Sequence, residues 1–229
     1  MYDVIKNYPK VSAELVKKFY DTLDESASVN ECLKVNGALN HDFRPVWPGT
    51  RIVGSAFTVR ARAGDNLILH KAITLLKPGD ILVVSCDGFL ESGGMWGGIM
   101  SLAAKTMGCP GMIIDGCIRD TMMMKKIEWW AWSRGVGVKK STKLTGGQIN
   151  HPIVIGNVMV NPGDLVFADN DGVVIVPREQ AQEVYDLAAG RESKEGDLIA
   201  RVKGDGTLTF NGNEIFKANY AKLGLTEEP

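Results

Sequence analysis

The amino-acid sequence predicts a single α/β domain over residues 1–190, built on a sheet that mixes parallel crossover strands with antiparallel ones. Three observations lead there. Between residues 81 and 138, short all-apolar runs alternate with segments of helical period, the rhythm of a sheet covered on both faces. After residue 145 the apolar runs follow one another directly, separated only by Gly, Asn, Asp and Pro turns. The 229 residues are 45% hydrophobic and 23% charged, the composition of a chain that folds around its own core.

Along the chain, residues 11–23 place Val11, Leu15, Val16 and Phe19 at helical spacing, and Ser12 can cap them. Residues 26–48 contain Phe43, Pro45, Trp47 and Pro48 and read as irregular, with room for one short helix. Residues 51–62 form a strand pair or one bent strand, and 65–76 a helix. Lys77-Pro78-Gly79-Asp80 is a turn into an all-apolar strand at 81–84. A helix at 100–107, a strand at 111–114, a helix at 121–132 and a strand at 135–138 follow. The helix read at 121–132 holds Met122, Met123, Met124, Trp129, Trp130 and Trp132. That is core packing or, with Trp96, a subunit interface or an apolar substrate wall. Strands are read at 153–155, 158–160, 164–168 and 173–176, and Asn161-Pro162-Gly163-Asp164 echoes the earlier turn phrase. Pro177 opens a helix at 179–189. The tail, 191–229, is more polar, with Gly196, Gly204, Gly206, Gly212 and Gly224. It reads as broken helix in an extension packed on the body or on a neighbouring subunit.

Composition excludes several classes of function. With 26 basic and 27 acidic residues, the net charge of −1 gives no field to recruit nucleic acid or an anionic membrane surface. No apolar stretch reaches the length of a membrane span, and the first residues do not form a secretion signal. Cys32, Cys86, Cys109 and Cys117 are scattered without a CxxC, which fits a reducing, cytoplasmic location. His41, His70 and His151 are far apart, so a metal would be held by oxygen and not by imidazole.

Two segments have residues suited to chemistry. Glu91-Ser92-Gly93-Gly94-Met95-Trp96-Gly97-Gly98-Ile99-Met100 runs into a helix, where unpaired backbone N–H groups favour an anion. The alternative is a tight loop with no ligand. Neither GxGxxG nor GxxxxGK[ST] is present, which rejects dinucleotide and nucleoside-triphosphate sites. Asp115-Gly116-Cys117-Ile118-Arg119-Asp120 stands between an apolar strand and a helix, where α/β sheets place ligands. Arg119 offers a fork for a carboxylate or enolate oxygen, and Asp120 a hard ligand for Mg²⁺ or Mn²⁺. Equally, Asp120 could cap the next helix, and Asp115 could brace its own loop.

In these phrases, with residues 54–60, Asp65-Asn66, His70-Lys71-Ala72, Trp96-Gly97 and Asp169-Asn170-Asp171-Gly172, the chain resembles the RraA-like family, which includes class II 4-hydroxy-4-methyl-2-oxoglutarate aldolases. The resemblance covers residues 20–195. It implies an α/β/α fold with a swivelling-domain-like sheet, assembled as trimers or hexamers with sites between subunits. It further implies a divalent-metal-dependent lyase acting on 2-oxo acids through a pyruvate enolate, as a 4-hydroxy-2-oxo acid aldolase or an oxaloacetate decarboxylase. By the resemblance, the backbone of Gly97, Gly98, Ile99 and Met100 binds the substrate carboxylate, Arg119 the keto oxygen, and Asp120 the Mg²⁺ or Mn²⁺. Asp115, Glu91 and, from a neighbouring subunit, Glu195 or Glu192 are further acids that could approach. Gly98 and Met123 stand where the aldolases keep carboxylates, which disfavours aldol cleavage relative to decarboxylation. The other outcomes within this family are a non-catalytic regulator that binds a protein partner, or an enzyme with a different substrate.

Overall fold

The computed structural model describes residues 3–205 and 219–225. It forms two compact units, Met1–Ala188 and Ala189–Pro229. The first begins with β1 (Asp3–Val4), α1 (Ala13–Thr22), α2 (Ser26–Glu31), β2 (Arg44–Pro45) and β3 (Ile52–Ala61). The alternating middle is α3 (Leu67–Ile73), β4 (Asp80–Ser85), β5 (Gly94–Trp96), α4 (Gly98–Thr106), β6 (Gly111–Ile118), α5 (Thr121–Lys126) and β7 (Trp130–Val136). Short strands follow: β8 (Gly147–Ile149), β9 (Ile153–Ile155), β10 (Val158–Val160), β11 (Leu165–Ala168) and β12 (Val173–Val176). Helix α6 (Ala181–Asp205) comes last.

The main sheet runs β1-β8-β3-β4-β6-β7-β2, with β5 added beside β6, and β11 and β12 attached at β3. Strands β3, β4, β6 and β7 are mutually parallel, while β8 and β11 pair antiparallel with β3. This is the mixed sheet expected from the sequence. Strand alternation divides the core in two. Leu82, Val84, Met112 and Ile114 face one cluster with Ile68, Leu69, Met100, Ala104 and Met124 of α3, α4 and α5. Ile81, Val83 and Ile113 face the other, closed by Leu39, Phe43 and the β9–β10 hairpin.

The echoed turn phrases have one geometry. Gly79 and Gly163 take φ of +85° and +87°, the left-handed value a Pro-Gly turn needs at its third residue. In each, the closing aspartate accepts from the N–H three residues back, Asp80 from Lys77 at 3.0 Å and Asp164 from Asn161 at 2.8 Å. The two turns bracket the same point of β3: Ser55 N–H donates to Gly79 and Ala56 N–H to Asp164.

Several sequence expectations are corrected. The helix read at 121–132 is only α5, and the tryptophans beyond it belong to β7 and its approach. Trp129 N–H donates to Met124 and Glu128 N–H to Lys125, with Glu128 at φ 50°. This is a Schellman stop with glutamate where glycine usually signals it. Trp129 and Trp132 are fully buried, and Trp129 stacks on buried Trp96 at 5.5 Å, so these rings build core and not a substrate wall. The strand read at 135–138 is the end of β7. The strand read at 111–114 continues to Ile118, which puts Asp115 inside β6 and not in a loop. The helix read at 179–189 runs on to Asp205 through Gly190 and Gly196, helped by the Arg191–Glu195 pair one turn apart at 2.9 Å. Residues 206–218 and 226–229 of the predicted extension lie outside the described residues.

Candidate active site

At the carboxyl end of β6 the chain leaves the sheet through Arg119 and enters α5 at Asp120. The adjacent strand β5 ends at Trp96 and enters α4 through Gly97. Arg119 N–H donates to the Trp96 carbonyl at 2.9 Å, which joins the two exits side by side. The α4 start is fixed from within: the Trp96 indole Nε1–H donates to Ser101 Oγ at 2.8 Å, and that hydroxyl donates to the Gly97 carbonyl at 3.1 Å. Buried Asn66 ties the preceding strand by donating to the Met95 carbonyl at 3.0 Å.

Asp120 has φ 60° and ψ 34°, left-handed values that aspartate tolerates better than most residues. It precedes α5, yet its side chain makes no capping bond to that helix. The carboxylate turns instead to the neighbouring helix start, where Oδ2 accepts from Gly98 N–H at 3.1 Å. A positive helix end favours a carboxylate there. Arg119 Nε lies 3.8 Å from the same oxygen, and both side chains stay open, at 40% and 49% exposed.

Two glycines make this approach possible. A Cβ on Gly97 would stand 2.6 Å from Asp120 Oδ2, and one on Gly98 would stand 2.5 Å from Met123 Sδ. Gly97 therefore makes room for the carboxylate and Gly98 for the thioether. The Gly98 N–H of the predicted carboxylate cradle is thus taken by Asp120 itself. Ile99 and Met100 contribute the next two N–H groups of the helix start, which no carbonyl within the helix reaches.

Within this chain the remaining predicted acids make other contacts. Asp115 is buried and accepts from Ser85 Oγ, Cys86 N–H and Gly88 N–H at 3.2, 2.5 and 3.2 Å, so it braces the turn after β4. Glu91 pairs with Lys139 at 3.0 Å on the surface. Glu195 pairs with Arg191 within α6, and Glu192 lies on the same helix. Burial, and then the Asp115 charge, push the Cys86 thiol up; burial and then Glu91 raise Cys117. No thiolate nucleophile is available at this strand end.

A hard cation is tested by its donors. Among the described residues, no group of three His, Cys, Asp or Glu could hold a metal ion. One half-exposed carboxylate, with one oxygen already bonded to Gly98, fits Mg²⁺ or Mn²⁺, ions that keep much of their water, and does not fit structural zinc. The sequence reading missed Ser101 and the seat of Met123, and it named Asn66 within a family phrase without giving it a role. Ser101 could have been found, because a hydroxyl four residues after a helix-opening glycine reaches back to its carbonyl.

Known proteins share this arrangement of strands and helices. The profile of the RraA-like family, described as Aldolase/RraA, matches residues 20–175. A protein of Halalkalibacterium halodurans named "Putative 4-hydroxy-4-methyl-2-oxoglutarate aldolase" is 35% identical over 163 residues, 71% of this chain and 76% of that one. An uncharacterized Pseudomonas syringae protein of known structure superposes with a TM-score of 0.76 at 29% identity, covering 88% of this chain and 93% of its own. Streptomyces coelicolor RraAS2, described as an unusual member of the RNase ES inhibitor RraA protein family, gives 0.75 at 27% identity, covering 84% and 100%. The chain belongs to the RraA-like, aldolase/RraA family.

Proposed function

We propose that this protein is a divalent-metal-dependent lyase that cleaves or decarboxylates 2-oxo acids through a pyruvate enolate. The observation that supports it best is the open Arg119–Asp120 pair held against the glycine start of α4. An arginine fork, a carboxylate and unpaired helix N–H groups within one small surface suit a 2-oxo acid head, which presents a carboxylate beside a keto oxygen.

Each residue has a part. Ile99 and Met100 N–H groups orient the substrate carboxylate. The Arg119 guanidinium faces the keto oxygen, where negative charge develops as the carbon–carbon bond breaks. Asp120, through the oxygen not bonded to Gly98, would hold Mg²⁺ or Mn²⁺. When bound, such an ion would supply Lewis-acid charge to the reaction. Gly98 and Met123 add no carboxylate, so a step that needs a proton acceptor is disfavoured relative to loss of CO₂.

The openness of the pair, with Ile99 79% and Met122 81% exposed in the first turns of α4 and α5, supports a site completed by a neighbouring subunit. Light scattering then gives a trimer or a multiple of it; a monomer of 24.9 kDa contradicts a shared site.

The activity test is Mg²⁺-dependent pyruvate release from oxaloacetate, above the rate with metal alone, and weaker release from 4-hydroxy-4-methyl-2-oxoglutarate. Asp120→Ala abolishes the first, and Arg119→Lys costs at least about tenfold because an ammonium lacks the two-pronged fork. Identical rates for wild type and Asp120→Ala on both substrates would overturn the lyase reading and favour a protein-binding role.

A further inference from the structure

We propose that a cavity under the N-terminal segment is a second ligand site, suited to an aromatic phosphomonoester of the nucleoside monophosphate type. It lies at Asp80, where β4 begins, and so at the opposite end of the parallel strands from Arg119 and the start of α4. Residues 5–11 bridge it, with Ile5 N–H donating to the Ile149 carbonyl and Val11 N–H to the Gly163 carbonyl, both at 3.1 Å. The space between this segment and the body is about 530 Å³, within the range of small-molecule sites. Val4, Ile5, Phe57 and Leu75 give it an apolar wall on which a flat ring can pack.

The two ends of the cavity differ in chemistry. At one end stands Asn150, only 3% exposed. Its backbone N–H donates to the Thr58 carbonyl at 2.8 Å and its side-chain Nδ2 to the Ile5 carbonyl at 3.0 Å. Its Oδ1 is buried and accepts no hydrogen bond, so a donor on a ligand would satisfy an unpaired polar atom. The other end is cationic. Lys10 pairs with buried Asp80, which also accepts from the Lys77 backbone N–H at 3.0 Å, so that acid is already matched. Lys6 and Lys77 add two further ammonium groups to the lining, and among the described residues neither makes an ion pair. Burial, and then the Asp80 charge, push the Tyr8 phenol up, so it keeps its proton and stays a donor. Separate ammonium groups suit a phosphate, whereas a carboxylate is better served by an arginine fork, which the lining lacks. Along β3, Thr58 beside Asn150 and Ser55 beside Asp80 are three residues apart, roughly 10 Å. A nucleoside monophosphate spans that length from base amine to phosphate, with Phe57 between the two ends.

Isothermal titration of the full chain with AMP, adenosine, inorganic phosphate and purine riboside 5′-monophosphate tests each part. AMP is expected to bind once per chain, with adenosine and phosphate at least about tenfold weaker because each lacks one end. Purine riboside 5′-monophosphate has no base amine and should bind at least about fivefold more weakly, since it leaves Asn150 Oδ1 unmet. Lys6→Ala combined with Lys77→Ala changes two exposed residues, so the thermal midpoint of the free protein should stay in place while AMP affinity falls at least about tenfold. Arg119→Ala should leave AMP affinity unchanged, because that residue lies at the other end of the strands. No AMP binding at millimolar concentration would overturn the proposal. So would phosphate binding as tightly as AMP, equal affinity for AMP and its amine-free analogue, or AMP binding lost in Arg119→Ala and kept in the double lysine variant.

Discussion

A methyl group on Gly97 would stand 2.6 Å from the Asp120 carboxylate, inside van der Waals contact, and 3.5 Å from Arg119 Nε. Neither neighbour is core packing, since both side chains are about half open, so the carboxylate moves before the fold does. Gly97→Ala should therefore cut Mg²⁺-dependent pyruvate release by about tenfold or more, while the thermal midpoint shifts little. Unchanged turnover would show that the Asp120 position does not matter to the reaction. At Gly98 the same addition meets Met123 Sδ at 2.5 Å and Cβ at 2.9 Å. Restoring a carboxylate there by Gly98→Glu alone consequently clashes, and the exchange needs a smaller residue at 123. Gly98 and Met123, the positions at which the family resemblance implies carboxylates, are thus one packed pair. Sequence spacing alone, 25 residues apart on different helices, does not reveal this.

The start of α3 is held by one carboxylate. Asp65 Oδ1 accepts from Leu67 N–H at 3.1 Å, and Oδ2 accepts from Thr142 Oγ1 at 2.7 Å and Leu144 N–H at 2.5 Å. Burial by itself would raise this acid, but the hydrogen bonds outweigh it and hold the carboxyl at about 2. A folded-state value below the unfolded one, about 3.9, makes the contribution complete above the unfolded value and lost as pH falls towards about 2. Asp65→Asn should lower stability at neutral pH and flatten the loss between about pH 4 and pH 2, read from urea unfolding along a pH series. An acid limb as steep as wild type would contradict it. Why some elements were legible follows from similar local chemistry. Pro-Gly-Asp turns, the Ser12 cap and the apolar runs 81–84 and 173–176 advertise themselves, because their residues dictate their backbone. The end of α5 did not, because Glu128 occupies a left-handed stop that glycine takes at the end of α4, where Gly108 has φ 84°. Without that signal, the tryptophan alternation of β7 merges with the helix before it. Asp65 and Asn66 likewise delay α3 by two residues, since their hydrogen bonds hold the approach to the helix.

At the scale of the molecule, parallel strands β4 and β6, with β5 beside them, deliver both helix starts to one end of the sheet, the end at which α/β folds bind ligands. Arg119 and Asp120 could be picked out as candidates from the motif 115–120, with a helix cap as an equal alternative, and their proposed roles came from the family resemblance. Their mutual arrangement could not, because it depends on a strand exit 22 residues away bringing Gly98 within 3.1 Å of Asp120. Among the described residues, no helix is long and apolar enough to cross a membrane. The central claim is that Arg119, Asp120 and the α4 start form one 2-oxo acid site. Its most direct test is a crystal soaked with oxalate, an unreactive mimic of the enolate, and Mg²⁺. The claim predicts density for both at the carboxyl end of β6, with oxalate contacting the Arg119 guanidinium and the N–H groups of Ile99 or Met100, and the ion on Asp120. Oxalate and ion bound elsewhere, or that end of the sheet left empty at saturating concentration, would contradict it.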